Sequence, residues 1–326
     1  MENFKIIEFH KTRDFSNKLN ATFAFVKQNF KALSKSILYI AGPPVLVASL
    51  LLSTFMGDIF KLAFGAAGNP GALQNYFLSV NFWLQVILMF VFMMVSYVAI
   101  IATTNNYLIL YNEQKSNAID VNDVWVRVRE TLGMYFITTL LFGLLATVAY
   151  MLMIIPIFVL GAISPFLVFF GVIFLIVGIM YFAVGASLVY AIRAFEKKGF
   201  FQAITRSFYL VRGKWWSTFG VLLILSLLVG VISYVFSIPA SILQGISMLH
   251  KVKSTNLSGP SGVIETIVFV LHSLAYISQL LLYLLPTVGL AFQYFNLVEM
   301  KEAKGLMSDI ESFGQAPSAT VKDESY

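Results

Sequence analysis

Three histidines are the first residues to test for chemistry: His10, His250 and His272. Neither His10 nor His250 has a second histidine or cysteine three or four places away, the spacing that puts two metal ligands on one helical face. His272 has Ser273, Tyr276 and Gln279 within two turns of helix. They could form a small polar cluster, or supply an interhelical hydrogen bond that holds a bundle together. The chain contains no cysteine, which excludes thiolate zinc sites, iron–sulfur clusters and thiol catalysis. No GxSxG, HExxH or phosphate-loop string occurs, and no nucleophile stands beside a base. The expectation is a protein without catalytic residues, resident metal or cofactor.

Backbone breaks are the second kind of chemically useful feature. Gly42-Pro43-Pro44 and Pro286-Thr287-Val288-Gly289 each fall within a long apolar stretch. Interrupted membrane helices can free backbone groups to line a cavity, so Pro43, Pro44, Pro286 and Gly289 mark an expected route for a lipid or small apolar solute. The competing expectation is that they are simple kinks, since the interiors of the apolar stretches carry no Asp, Glu, Lys or Arg. Retained intramembrane charges usually mark ion paths, and their lack speaks against proton- or sodium-coupled transport.

The elements that carry these residues follow from composition. Of 326 residues, 59% are hydrophobic and only 12% charged. A water-soluble domain has about 25% charged residues, so this surface is built for lipid. Runs long enough to cross about 30 Å of hydrocarbon fall near Leu33–Met56, Phe82–Thr104, Met134–Leu160, Pro165–Ile192, Ser217–Pro239 and Val263–Leu297. The fold class expected is an all-α polytopic membrane protein with six transmembrane helices. Of the 22 Lys and Arg residues, 19 lie in the segments on one side of these spans. The positive-inside rule then places both termini in the cytoplasm of a bacterial cell, with the chain in its inner membrane. The net charge of +6 belongs to that basic face and suits anionic lipid headgroups, not nucleic acid.

An internal repeat follows from the polar connectors. Phe15, Leu19, Phe23, Val26 and Phe30 recur at steps of three and four, as on one face of a helix. Val121, Val124, Trp125, Val128 and Leu132 do the same, as do Phe201, Ile204, Phe208, Val211 and Trp215. Shifts of 102 and then 83 residues superpose Phe23, Trp125 and Phe208, then Phe30, Leu132 and Trp215. A basic residue follows the shared valine each time: Lys27, Arg129 and Arg212. The chain is thus expected to hold three units, about 11–104, 115–192 and 197–297, each an amphipathic cytoplasmic helix feeding a transmembrane hairpin. Together they form one six-span domain over 1–307, with a disordered tail over 308–326. Phe23, Phe30, Trp125, Phe208 and Trp215 are the expected interfacial aromatics, and Lys27, Arg129 and Arg212 the expected contacts to anionic lipid. The alternative is that these faces pack on the ends of the spans and never meet lipid.

The string RAFEKKGFFQAITRSFYLVRGKWWSTFGVLLIL, residues 193–225, resembles the membrane domain of some bacterial glycerophosphodiester phosphodiesterases and related six-span inner-membrane proteins. The resemblance implies the helix–hairpin architecture. It implies no phosphodiesterase activity, because the catalytic barrel of that family needs roughly 250 residues beyond the membrane domain. The partners expected are the bilayer itself and a second membrane protein.

Overall fold

The computed structural model describes residues 5–65, 70–253, 262–307 and 310. The expected disordered tail over 308–326, apart from residue 310, and the outer loop at 254–261 lie outside the described residues. The chain is all-α, with no strand among the described residues. In order the helices are α1 (Phe15–Ile40), α2 (Gly42–Gly65), α3 (Pro70–Leu78), α4 (Val80–Gln114), α5 (Val121–Ile163) and α6 (Pro165–Gly185). They continue as α7 (Val189–Phe195), α8 (Phe200–Val211), α9 (Trp215–Lys253), α10 (Gly262–Leu282) and α11 (Leu284–Glu302). Six stretches are long and apolar enough to cross a membrane: Gly42–Ile59, Val80–Gln114, Val121–Ile163, Pro165–Phe195, Trp215–Ile246 and Thr266–Glu302.

The prolines decide where helices stop, though not where the sequence suggests. Pro43 and Pro44 do not break span one at its middle. They lie in the first turn of α2, after a turn at Ala41 that ends α1. Two missing N–H groups leave the preceding carbonyls without helical partners, so the first helix stops and a new one starts where proline is tolerated. Residues 33–40, expected inside span one, therefore belong to α1. Pro286 acts three residues upstream of itself: the interruption of span six falls at Tyr283, between α10 and α11. Its missing N–H would have bonded the Leu282 carbonyl, one turn back. Gly289 lies inside α11 and breaks nothing. A Cβ there would lie 2.1 Å from Leu225 Cδ1, so its role is close packing of α11 on α9.

Two helices form the centre. Residues 98–108 of α4 are buried without interruption, and α11 is buried from Leu285 to Val298 except at Leu290. A helix covered on every side has no solvent face, and the others pack around this pair. Spans one and six are neighbours, joined by a 3.1 Å hydrogen bond from Ser53 Oγ to the Phe269 carbonyl. At the far end the α5–α6 hairpin stands out of the bundle. Ile163, Phe158 and Phe166 are 70–72% exposed, which is stable only against lipid. Gly171 and Gly178 seat this hairpin, where a Cβ would meet Ile157 and Met153 of α5. Gly171 and Gly178 thus serve contact between α6 and α5.

Helix α5 runs 43 residues without a break. The expected second connector helix and third span are one rod. Helix α9 likewise continues past Pro239, the expected end of span five, to Lys253, so Ile242 and Ile246 project from a helix.

Candidate functional site

The N-terminal arm, α1, α8 and the ends of α4, α7 and α11 meet at one end of the bundle, the end rich in Lys and Arg. Helix α1 starts at Asp14, whose side chain accepts from the Asn17 amide at 2.7 Å. Its buried residues are Lys18, Thr22, Phe25, Asn29, Leu33, Ser36 and Ile37. Of its apolar stripe, Phe15, Phe23 and Phe30 are 39, 40 and 64% exposed, while Leu19 and Val26 are half-buried. The inward turn of Lys18, Thr22 and Asn29 has a physical reason. Outside a membrane-embedded bundle the solvent is lipid, while polar groups find partners only within. Lys18 Nζ donates to Ser217 Oγ at 2.6 Å and Gln293 Oε1 at 2.9 Å. Gln293 Nε2 donates to Thr218 Oγ1 at 2.8 Å. Tyr107 and Tyr111 donate to the side-chain oxygens of Asn29 and Gln28 at 3.0 and 2.9 Å. Burial, then the nearby charge of Lys214, pulls the Lys18 ammonium below its ordinary pKa, with Asp14 opposing.

The aligned helices share the inward register. Thr22, Val124 and Ser207, one place before Phe23, Trp125 and Phe208, are 1, 0 and 0% exposed. Trp125 is exposed like Phe23. Phe208 is not an outward aromatic: its ring fills the space over Gly185, where a Cβ would approach within 2.3 Å, and it packs on Tyr181 and Phe182. Trp215 is half-buried, stacked on Phe219 with centroids 5.3 Å apart and on Tyr181 at 6.3 Å. Ser207 repairs the interruption of span four at residues 186–188. Its hydroxyl donates to the Gly185 carbonyl at 2.6 Å and accepts from the Leu188 amide at 3.3 Å.

Lys27, Arg129 and Arg212 are all exposed and stand on three separate elements. Among the described residues none of them makes an ion pair, neither with Asp123 nor with Glu130. The Arg212 backbone carbonyl accepts from Lys301 at 3.2 Å.

Two polar groupings escape sequence inspection. In the first, Arg206 of α8 grips Glu196, the C-cap of α7, through Nε at 3.1 and 3.2 Å and Nη2 at 3.1 Å. Lys198 pairs with Glu196 at 2.8 Å and Tyr294 donates to it at 3.0 Å. Arg206 also pairs with Glu302, which accepts Lys304 at 3.2 Å. Burial pushes the Glu196 carboxyl up, but these hydrogen bonds outweigh it and hold the group below its ordinary pKa. An open cleft of about 640 Å³ lies over this network, with Phe195 and Phe295 among its walls and His10 on its rim. His10 lies 3.8 Å from Glu299, and burial holds its pKa below the ordinary value despite that carboxylate.

In the second grouping, Arg193 of α7 donates to Thr138 of α5, and Tyr190 and Thr139 hydroxyls lie 3.0 Å apart. Tyr97 packs edge-on against Tyr190 and Tyr283, the latter at the interruption of span six. Thr103 Oγ1 and Arg193 Nε are buried without a hydrogen-bond partner in this part of the protein.

Among the described residues no three His, Asp or Glu residues converge to hold a metal ion. His272 bonds the Val268 carbonyl of its own helix at 3.0 Å and does not bridge helices. Several of the hydrogen bonds in these networks join residues from 51 to 275 positions apart, which local spacing cannot signal. No family model, curated protein or solved structure matches this chain.

Proposed function

We propose that the chain is a non-catalytic integral protein of the bacterial inner membrane, with both termini cytoplasmic, that organises anionic phospholipid and a partner membrane protein on its basic face. The observation that carries this reading is the orientation of α1. Its polar stripe is locked into the bundle by Lys18 and Asn29, so Phe15, Phe23 and Phe30 are held outward as a fixed apolar surface. Lys27 is exposed on the same helix, placed to snorkel toward phosphate. The reading treats the chain as three related units, each an amphipathic helix and a hairpin. The shared burial of Thr22, Val124 and Ser207 supports it. The resemblance of residues 193–225 to the phosphodiesterase membrane domain agrees with that architecture.

The test is retention of native anionic lipid by purified protein. The Lys27→Gln, Arg129→Gln, Arg212→Gln triple variant should keep less phosphatidylglycerol than wild type, and added salt should erase the difference, because exposed charges are screened. Equal retention by the two folded proteins refutes the lipid contacts. Labelling of a cysteine placed at Ser254 only from the cytoplasmic side refutes the orientation.

A second reading is a carrier for a lipid or small apolar solute. The interruptions at residues 186–188 and at Tyr283, with a buried unbonded Nε on Arg193, favour it. Uptake of a fluorescent lipid by proteoliposomes, abolished when Arg193 is replaced, would establish that reading over the first.

A further inference from the structure

A second cavity, about 560 Å³, lies where the end of α1, the start of α2 and the start of α5 meet. Its volume falls within the roughly 300–1,000 Å³ typical of small-ligand sites. Lys35 and Asp120 both line it, together with the aromatic side chains of Tyr39 and Trp125. Lys35 and Asp120 are exposed, and among the described residues they make no ion pair, with each other or with any other side chain. The Lys35 ammonium lies 6.0 Å from the Tyr39 ring centroid, and Asp120 accepts from the Val121 amide at 2.7 Å as the N-cap of α5. Pro43, in the first turn of the first membrane-crossing stretch, lines the same cavity and fixes its depth at the membrane boundary.

From this juxtaposition of opposite, mutually unpaired charges and two aromatic rings at the lipid boundary, we propose that the cavity is a binding site for a zwitterionic phospholipid headgroup of the phosphoethanolamine type. Each group has a matching part. The phosphate meets Lys35, which lies over the Tyr39 ring, and the ammonium meets Asp120 with the face of Trp125 beside it. A net anionic headgroup is disfavoured, because Asp120 would face it with a like charge. The cavity is separate from Lys27, Arg129 and Arg212, and the site rests on the membrane-surface reading only for its depth.

The experiment uses the full chain in detergent, titrated with equimolar dioleoyl phosphatidylethanolamine and phosphatidylglycerol and read by native mass spectrometry. It is run in wild type and in the Lys27, Arg129, Arg212 triple-glutamine background, so that loss of those contacts cannot be mistaken for loss of this site. In both backgrounds one phosphatidylethanolamine should be kept in preference to phosphatidylglycerol. Lys35→Gln should weaken both lipids by about tenfold, the worth of one charge-assisted hydrogen bond. Asp120→Asn should reverse the preference in favour of phosphatidylglycerol, and asparagine preserves the helix cap, so the fold is kept. Trp125 fluorescence, isolated by replacing Trp83, Trp215 and Trp216 with Phe, should shift on adding phosphatidylethanolamine and not phosphatidylglycerol. An unreversed preference in Asp120→Asn, or a wild type that prefers phosphatidylglycerol in the triple background, overturns the assignment. Equal displacement by soluble phosphoethanolamine overturns the lipid as its source.

Discussion

Lys18 Nζ stands 2.9 Å from Gln293 Oε1, joining residues 275 positions apart in the buried core of the basic end. Lys18 is only 4% exposed, and the two hydrogen-bond partners of its ammonium, Gln293 and Ser217, are neutral. A buried cation without a carboxylate against it is costly, and the structure meets that cost with dipoles. Its lowered pKa makes the folded state bind fewer protons than the unfolded state between the folded value and the ordinary one. Stability at this site therefore rises as pH climbs through that window, toward about 10.5. The unfolding temperature of wild type relative to Lys18→Met should rise between pH 7.5 and pH 10. A constant difference would mean that Lys18 stays charged in the folded protein at both values, with its pKa unmoved from that of the unfolded chain.

Gly289 sets the distance between α11 and α9. Its Cβ in an alanine variant would fall 2.1 Å from Leu225 Cδ1, and Leu225 is fully buried, so its side chain has little room to turn away. Gly289→Ala should cost about 1–3 kcal/mol in unfolding experiments in detergent. Combining it with Leu225→Ala, itself worth about 2–5 kcal/mol through a cavity, should cost less than the sum, because the added methyl occupies part of the space. Additive losses would show that the two positions do not press on each other.

How far the architecture is legible from the sequence depends on what bounds each element. Pro165 opens α6 where the apolar run after Ser164 begins, because a capping serine and a first-turn proline coincide there. Gly171 and Gly178, seven residues apart on α6, leave room for Ile157 and Met153 of α5. The facing of α1 is not legible. The helix carries apolar residues on more than one face, and the one that turns in joins Phe25, Leu33 and Ile37 to Lys18, Thr22 and Asn29, a mixed set that apolar periodicity alone does not select. The Glu196 network is invisible for another reason: Tyr294 reaches Glu196 from 98 residues away, and no local pattern encodes that meeting.

Ser207 closes the gap left at the interruption of span four. Its hydroxyl satisfies both the Gly185 carbonyl and the Leu188 amide, which have no partner in a continuous helix. Ser207→Ala should cost about 1–3 kcal/mol, the penalty for leaving buried backbone groups unbonded. Hydrogen exchange locates the effect: the Leu188 amide should exchange faster in the variant while amides in the centre of α4 stay protected. Uniform acceleration across both helices would assign Ser207 a global role instead of a local one.

Arg206 joins α7, α8 and α11 by holding Glu196 and Glu302 at once. Its side chain is 14% exposed and Glu196 is 10% exposed, so this is a largely desolvated network, not a surface pair. Removing the cation alone leaves two carboxylates with too few donors, and Arg206→Met should cost about 3 kcal/mol at neutral pH. The pH dependence follows from Glu196. In wild type its folded pKa is depressed, so its contribution is present above the unfolded value and is lost as pH falls through the folded one. Without Arg206, burial is opposed only by Lys198 and Tyr294, and the carboxyl moves upward. The variant then loses less than wild type on acidification, and the gap in unfolding temperature should narrow from pH 7.5 to pH 5. Adding Glu196→Gln and Glu302→Gln to Arg206→Met should recover part of the loss and flatten the pH response. A gap that stays wide at pH 5 would show that Arg206 stabilises the three helices through packing of its stem, and not through its charge.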